Sequence, residues 1–396
     1  MIESHDFNIA ELNVRICFAE SPFNSMRLLT SFEPFRVNTL EGHLFFSLLV
    51  DDSLKPYPKD KRKRIRAFDT GNGDTIVDRL DNGGYQYIIK DINGASCCLL
   101  QTNKDFSDCR CALNGNYNMR CFGLNNALML IFAFAGSRLQ TLLIHASLVR
   151  QNGYGYAFIA KSGTGKSTQV SMWLRYLKGC DLMNDDNPII RFIDGEPYIY
   201  GSPWSGKTPC YRNVKAKLGA ITRIDRDSSN WVERLSPIEA FASLLPSCSS
   251  MKWDQDIFND ICNTITRLVE TSIACPTGRL PKFVIRRLPS KKVKENPRDK
   301  IFAEFHGGIG RHSCLSDYSR IFAEFWPLAN GWRPIYAPVV FCHADFADDA
   351  DFSSWRVLSH RFHRYTQIFY GISGESLCPT SGGICNDRTG RIREIP

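Results

Sequence analysis

At 396 residues, 43% of them hydrophobic, the chain is long enough to bury sizeable cores in two or three domains of ~100–200 residues each. The start, MIESHDFNIAELNV, carries acids and no apolar run, and the apolar stretch Leu124 to Gly136 is interrupted by Asn125 and Asn126. A secretory signal and a membrane span are therefore not expected, and the reading is a cytoplasmic protein. Of the net charge of +8, nearly all falls in residues 272–300, where nine Lys and Arg face only Glu295 and Asp299. That segment and the basic run Lys59 to Arg66 read as solvated charge, and with no aromatic-rich recognition motif beside them they do not point to nucleic acid.

Fifteen cysteines are scattered along the chain. The close pairs Cys97-Cys98 and Cys109-x-Cys111 lack a second half at zinc-ligand spacing, so reduced thiols are expected.

Residues 1–120 read as short strands cut by turn signals. Asn72-Gly73, Asn82-Gly83-Gly84 and Asn93-Gly94 punctuate runs such as Tyr85-Gln-Tyr-Ile-Ile89, which predicts an antiparallel β-rich N-terminal domain. Leu124 to Leu139 follows as a largely buried helix, with Leu124, Leu128, Ile131 and Ala135 on one face. The predicted order then changes to a strand at Leu142 to Val149, a turn at Asn152-Gly153, a strand at Tyr154 to Ala160, a Gly-rich loop and a helix from Lys166 to Leu177. A strand approaching Asn184 comes next, then a hairpin turning at Asp194-Gly195. Residues 121–271 are thus an α/β domain. Ile257, Ile261, Ile265 and Leu268 place a helix at Asp256 to Glu270, and the pattern stops at Thr271. Residues 272–396 are basic and irregular, hold five of the eight histidines and receive no fold; one hypothesis is a shifted reading frame near residue 271.

The chemistry lies in AKSGTGKST, residues 160–168, between a predicted strand and a predicted helix. Ala160, Lys161, Ser162, Gly163, Thr164, Gly165, Lys166, Ser167 and Thr168 fit a Walker A loop with Ala in its first position. Gly163 and Gly165 let the backbone turn tightly and aim N–H groups at phosphate oxygens. Lys166 neutralises the β and γ phosphates of a nucleoside triphosphate, Ser167 or its hydroxyl neighbour supplies a ligand to Mg²⁺, and the following helix adds its positive end. Asp185-Asp186, in LMNDDNP, offers one carboxylate to hold Mg²⁺ and one to orient or deprotonate an attacking hydroxyl. His145, in LLIHASLV, is the third element. A lone His on an apolar strand is ordinarily a core or strand-end residue, and only its company singles it out.

His145, the loop 160–168 and Asp185-Asp186 occur in the order and approximate spacing of the HPr kinase/phosphorylase catalytic domain, which is similar in its P-loop and paired Asp to phosphoenolpyruvate carboxykinase. The resemblance covers about residues 140–215. It implies a P-loop catalytic domain behind the β-rich N-terminal domain, and an ATP- and Mg²⁺-dependent kinase. Lys166 and Ser167 would handle phosphates and metal, Asp185 the metal, Asp186 the catalytic base, and His145 would lie near the transferring phosphate. It also implies a homo-oligomer, because helices behind the family's catalytic domain assemble one. The chain departs from the family at Tyr200 to Arg212, where YGSPWSGKTPCYR replaces a glycine-rich signature; Lys207 and Arg212 there either face the phosphates or an acidic acceptor, or are surface charges. The acceptor is a hydroxyl of a protein, a peptide or a small molecule. The alternative is a nucleotide-binding module that switches a partner without efficient transfer.

Overall fold

The computed structural model describes residues 2–69, 73–206, 208–227, 231–273 and 282–289. Asn72, Lys207 and the whole of 290–396, with the histidines and the repeated Ile-Phe-Ala-Glu-Phe of the tail, lie outside the described residues. What is described is a mixed α/β protein built on two nine-stranded sheets.

The first sheet comprises β1 (Ile2–Ile9), β2 (Leu12–Ala19), β3 (Arg36–Val37), β4 (Leu44–Val50), β5 (Arg62–Asp69), β6 (Asp74–Leu80), β7 (Tyr85–Lys90), β8 (Ser96–Thr102) and β9 (Asp108–Leu113), in the order β3-β1-β2-β4-β9-β8-β7-β6-β5. The sequence predicts an antiparallel sheet, and the structure corrects this: β4 runs parallel to both β2 and β9. A parallel pair needs a crossover rather than a tight turn. Between β2 and β4 that role falls to the 3-10 segment Met26–Phe35, which buries Leu28, Leu29, Phe32 and Phe35.

Helix α1 (Tyr117–Gly136) begins seven residues before the predicted start, because Asn116 caps it by accepting a hydrogen bond from the Met119 N–H at 3.1 Å. Together with the turn that follows, Tyr117–Leu139 is long and apolar enough to cross a membrane. Here its apolar side chains fill the protein's own core, where Leu124, Ala127, Leu128, Ile131 and Phe132 are fully buried. Leu128→Ala is therefore expected to cost about 2–5 kcal/mol, the range for a buried leucine truncated into a cavity, and denaturant titration measures it.

The second sheet contains β10 (Thr141–Leu143), β11 (Ala146–Gln151), β12 (Tyr154–Ile159), β13 (Asp181–Asp186), β14 (Ile189–Ile193), β15 (Glu196–Tyr200), β16 (Lys215–Asp227), β17 (Trp231–Arg234) and β18 (Lys282–Pro289). Its main path runs β10-β14-β15-β16-β12-β11-β13, and β18 joins β16 to β17. Helices α2 (Lys166–Tyr176), α3 (Pro237–Leu244) and α4 (Gln255–Ile273) complete this part. The predicted turn and the predicted hairpin are both present, and each joins an antiparallel pair: Asn152 and Gly153, then Asp194 and Gly195, have φ of 51°, 79°, 50° and 83°. Two successive positive φ values match the right-handed twist of the flanking strands.

Two expectations change. The single strand predicted at Leu142 to Val149 is two strands: β10 pairs with β14, whereas β11 pairs with β12 and β13. The chain changes partners at Ile144 and His145, whose N–H groups donate to Pro188 and Ser247 carbonyls. Strand structure also continues past residue 271, since β18 runs parallel to β16 and antiparallel to β17. All ten cysteines among the described residues for which a state is assigned are free thiols.

Candidate nucleotide site

The loop 160–165 leaves the end of β12 and enters α2 at Lys166, so the phosphate-loop sequence sits between a strand and a helix. Gly163 and Gly165 have φ of 76° and 125°, conformations that L side chains rarely adopt. Lys161, Ser162 and Gly163 are exposed, as are Ser167 and Thr168 in the first turn of α2. The loop is pinned from the neighbouring parallel strand: the Arg226 guanidinium, near the end of β16, donates to the Gly163 carbonyl at 2.8 Å.

The Lys166 ammonium donates to the Ala160 carbonyl at 2.9 Å and lies 3.1 Å from His145 Nε2. The other ring nitrogen of His145, Nδ1, is 3.0 Å from Asp186 Oδ1. Lysine, imidazole and carboxylate therefore form one connected line at the foot of the loop. Burial lowers the pKa of Lys166, and the carboxylates of Asp186 and Asp185 oppose that shift without cancelling it.

His145 reaches this position because of the partner change between β10 and β11. The next residue, Ala146, stands opposite Asp186 in the β11–β13 ladder, and Ser147 stands opposite Asp185. The two acids live in different surroundings. Asp185 is buried and accepts a hydrogen bond from the Ser147 hydroxyl at 2.6 Å. Asp186 is one-third exposed, with Asn187 Nδ2 donating to its Oδ2 at 2.6 Å.

The structure thus brings His145, Lys166 and Asp186 into contact and sets Asp185 beside Asp186. Ala160 enters through its carbonyl. Ser147 and Asn187 are partners the sequence reading missed; strand alternation from His145 to Ser147, and the Asn flanking the acid pair, were the available signals. Arg212 does not face the site. Its guanidinium donates to Asp181 Oδ2 at 2.7 Å, Arg150 holds the same carboxylate through two bonds at 2.8 and 3.0 Å, and Arg212 also donates to the Leu182 carbonyl.

That triad makes a pH test. Burial pushes the Asp181 carboxyl up, but hydrogen bonds from Arg150 and Arg212 outweigh it and hold the pKa below the usual range. A carboxyl depressed in the folded state contributes stability present above its unfolded pKa and lost as pH falls through the folded value. Arg212→Gln is thus expected to raise the acid-unfolding midpoint while leaving stability at pH 9 nearly unchanged relative to pH 7, as read by circular dichroism.

By their donor chemistry, Ser167, Asp185 and Asp186 are residues that could hold the metal of a magnesium nucleotide. Ser167 and the two carboxylates are hard oxygen donors, the kind Mg²⁺ takes. Among the described residues no three His, Cys, Asp or Glu cluster as a metal site.

No protein-family model and no curated protein matches the sequence. Among solved structures, the chain is similar to the Hpr(Ser) kinase/phosphatase from Coxiella burnetii, at 8% identity and a TM-score of 0.24, over 46% of this chain and 93% of that one. Likeness at this level is a distant resemblance of fold and carries no weight for activity.

Proposed function

We propose that the protein is a phosphotransferase that takes the γ-phosphoryl group of Mg·ATP to a Ser/Thr hydroxyl of a protein or peptide, or to a small hydroxy compound. The observation that carries this reading is the contact line Lys166–His145–Asp186 at the foot of a glycine loop that opens a helix. A phosphate loop accounts for the first member, but a site that only binds nucleotide has no use for a carboxylate and an imidazole joined to its lysine.

In this reading the loop N–H groups and the N-terminus of α2 hold the phosphates, and Lys166 neutralises the β and γ oxygens. Ser167 and Asp185 would hold Mg²⁺, which when bound supplies charge neutralisation at the phosphates. The partly exposed Asp186 takes the proton of the acceptor hydroxyl as its oxygen attacks phosphorus and the bond to the bridging oxygen breaks. His145 orients that carboxylate through Nδ1. Catalysis is then largely positioning and electrostatics, as phosphoryl transfer requires.

The test is incubation with γ-labelled ATP and a cell extract, wild type against Asp186→Ala. Label moving to an acceptor only with the wild type supports transfer. Tight nucleotide binding with no labelled product in either sample favours the alternative, a regulatory nucleotide-binding module.

A further inference from the structure

Asn184 precedes the acid pair in β13, and its side chain is completely buried. A primary amide carries two donor hydrogens and an oxygen with two lone pairs, so burying it is tolerable only when these are used. Here they are. Oδ1 accepts from the N–H of Asp186 at 3.1 Å and from that of Asn187 at 2.9 Å. Nδ2 donates to the Trp204 carbonyl at 3.0 Å and to Ser202 Oγ at 3.2 Å, with the Ser202 carbonyl at 3.3 Å.

These contacts join two pieces of backbone that no regular ladder connects. On one side, the chain turns out of β13 at Asp186 and Asn187. On the other, residues 201–206 and 208–212 lie along the outer edge of β13 and bond to it at three points. The Gly206 N–H donates to the Asp185 carbonyl, Asp186 forms an isolated bridge with Ser205, and Arg212 donates to the Leu182 carbonyl. The approach at Gly206 is close enough that a Cβ there would stand 2.8 Å from the Asp185 carbonyl oxygen. Ser202 completes the frame: its hydroxyl donates to the Asn187 carbonyl at 2.6 Å. Asn187 in turn grips the Asp186 carboxylate from the side opposite His145's partner oxygen.

We infer that Asn184 is a positioning residue of the transfer site, with Ser202 as its partner: together they fix the direction in which Asp186 presents its carboxylate to His145 and to an acceptor. This rests on the phosphotransferase reading above. With its side chain completely buried, the residue has no surface to offer a phosphate or an acceptor. It holds the two peptide units that carry the base, and removing it frees them to rotate while leaving the phosphate loop, on the far side of β11 from β13, intact.

The experiment compares Asn184→Ala and Ser202→Ala with the wild type in three measurements: Mg·ATP affinity by calorimetry, single-turnover transfer, and amide hydrogen exchange at Asp186 and Asn187. Loss of an orienting partner typically costs ~10- to 100-fold in activity, so Asn184→Ala is expected to lower the transfer rate by that factor with affinity changed less than about threefold. Exchange at both amides is expected to accelerate. Ser202→Ala keeps the Asn184 acceptor contacts, so it is expected to slow transfer less and to leave the Asp186 amide protected; it carries the test if Asn184→Ala does not fold. Unchanged exchange and rate in the folded variants would overturn the inference. So would a rate that falls only in proportion to lost nucleotide affinity. A wild type that transfers no phosphate removes the phosphotransferase reading, and the exchange measurement still decides whether Asn184 holds the Asp186–Asn187 turn.

Discussion

Lys166→Ala is expected to weaken Mg·ATP binding by ~10- to 100-fold, because a hydrogen bond to a charged group is worth about 1.5–3 kcal/mol and Lys166 would make more than one to the phosphates. The fold is expected to survive. Among the described residues the ammonium bonds to the Ala160 carbonyl and lies against His145, both within the site, and the buried residues of α2, Gln169, Val170 and Trp173, are left unchanged by the substitution. The direction of the Lys166 pKa sharpens this expectation. Burial disfavours its charge in the resting site, and Asp186 and Asp185 compensate only in part, so an arriving polyphosphate meets an ammonium short of counter-charge. Calorimetric titration with Mg·ATP, beside a thermal melt, makes the measurement. A folded variant with wild-type affinity would remove the phosphate-loop assignment.

The parts of this molecule legible in the sequence are those written in short-range chemistry. Asn152-Gly153 marked a turn and Asp194-Gly195 a hairpin of the second sheet, since positive φ at two successive positions is a demand on residue type alone. The glycine loop declared itself in the same way. The periodicity of Ile257, Ile261, Ile265 and Leu268 placed α4, and all four side chains are buried. What the residues could not convey was pairing over long distances. Whether β4 lies parallel or antiparallel to β2 depends on the crossover through Met26–Phe35, and no alternation within either strand encodes it. The break at Ile144 and His145 was hidden for a related reason: an apolar run reads as one strand whether it keeps one partner or exchanges partners midway. That break is what turns His145 toward Lys166. Ser147 and Asn184 escaped notice because a buried hydroxyl or amide becomes visible as a partner only when the other strand or loop is in place. Arg212 shows the converse, a charge that looked free in the sequence and is spent on Asp181.

The two carboxylates should separate cleanly under substitution. Asp185 is buried, anchored by Ser147 and closed off on its carbonyl side by Gly206, the surroundings of a fixed ligand. Asp186 is one-third exposed and touches His145, the surroundings of a group that must meet an incoming hydroxyl. Amide replacement keeps the shape and removes the charge. Asp186→Asn is expected to bind Mg·ATP nearly as well as the wild type and to lower single-turnover transfer by ~10²- to 10⁴-fold, the usual contribution of a general base. Asp185→Asn is expected to lose both, with a raised Mg²⁺ requirement for nucleotide binding as its distinguishing mark. A reversed pattern, with Asp186→Asn weakening Mg²⁺-dependent binding and Asp185→Asn affecting only the rate, would exchange the two roles while keeping the mechanism. If both variants bind Mg·ATP and transfer phosphate like the wild type, the pair is only a structural strand end and no carboxylate of this site activates the acceptor.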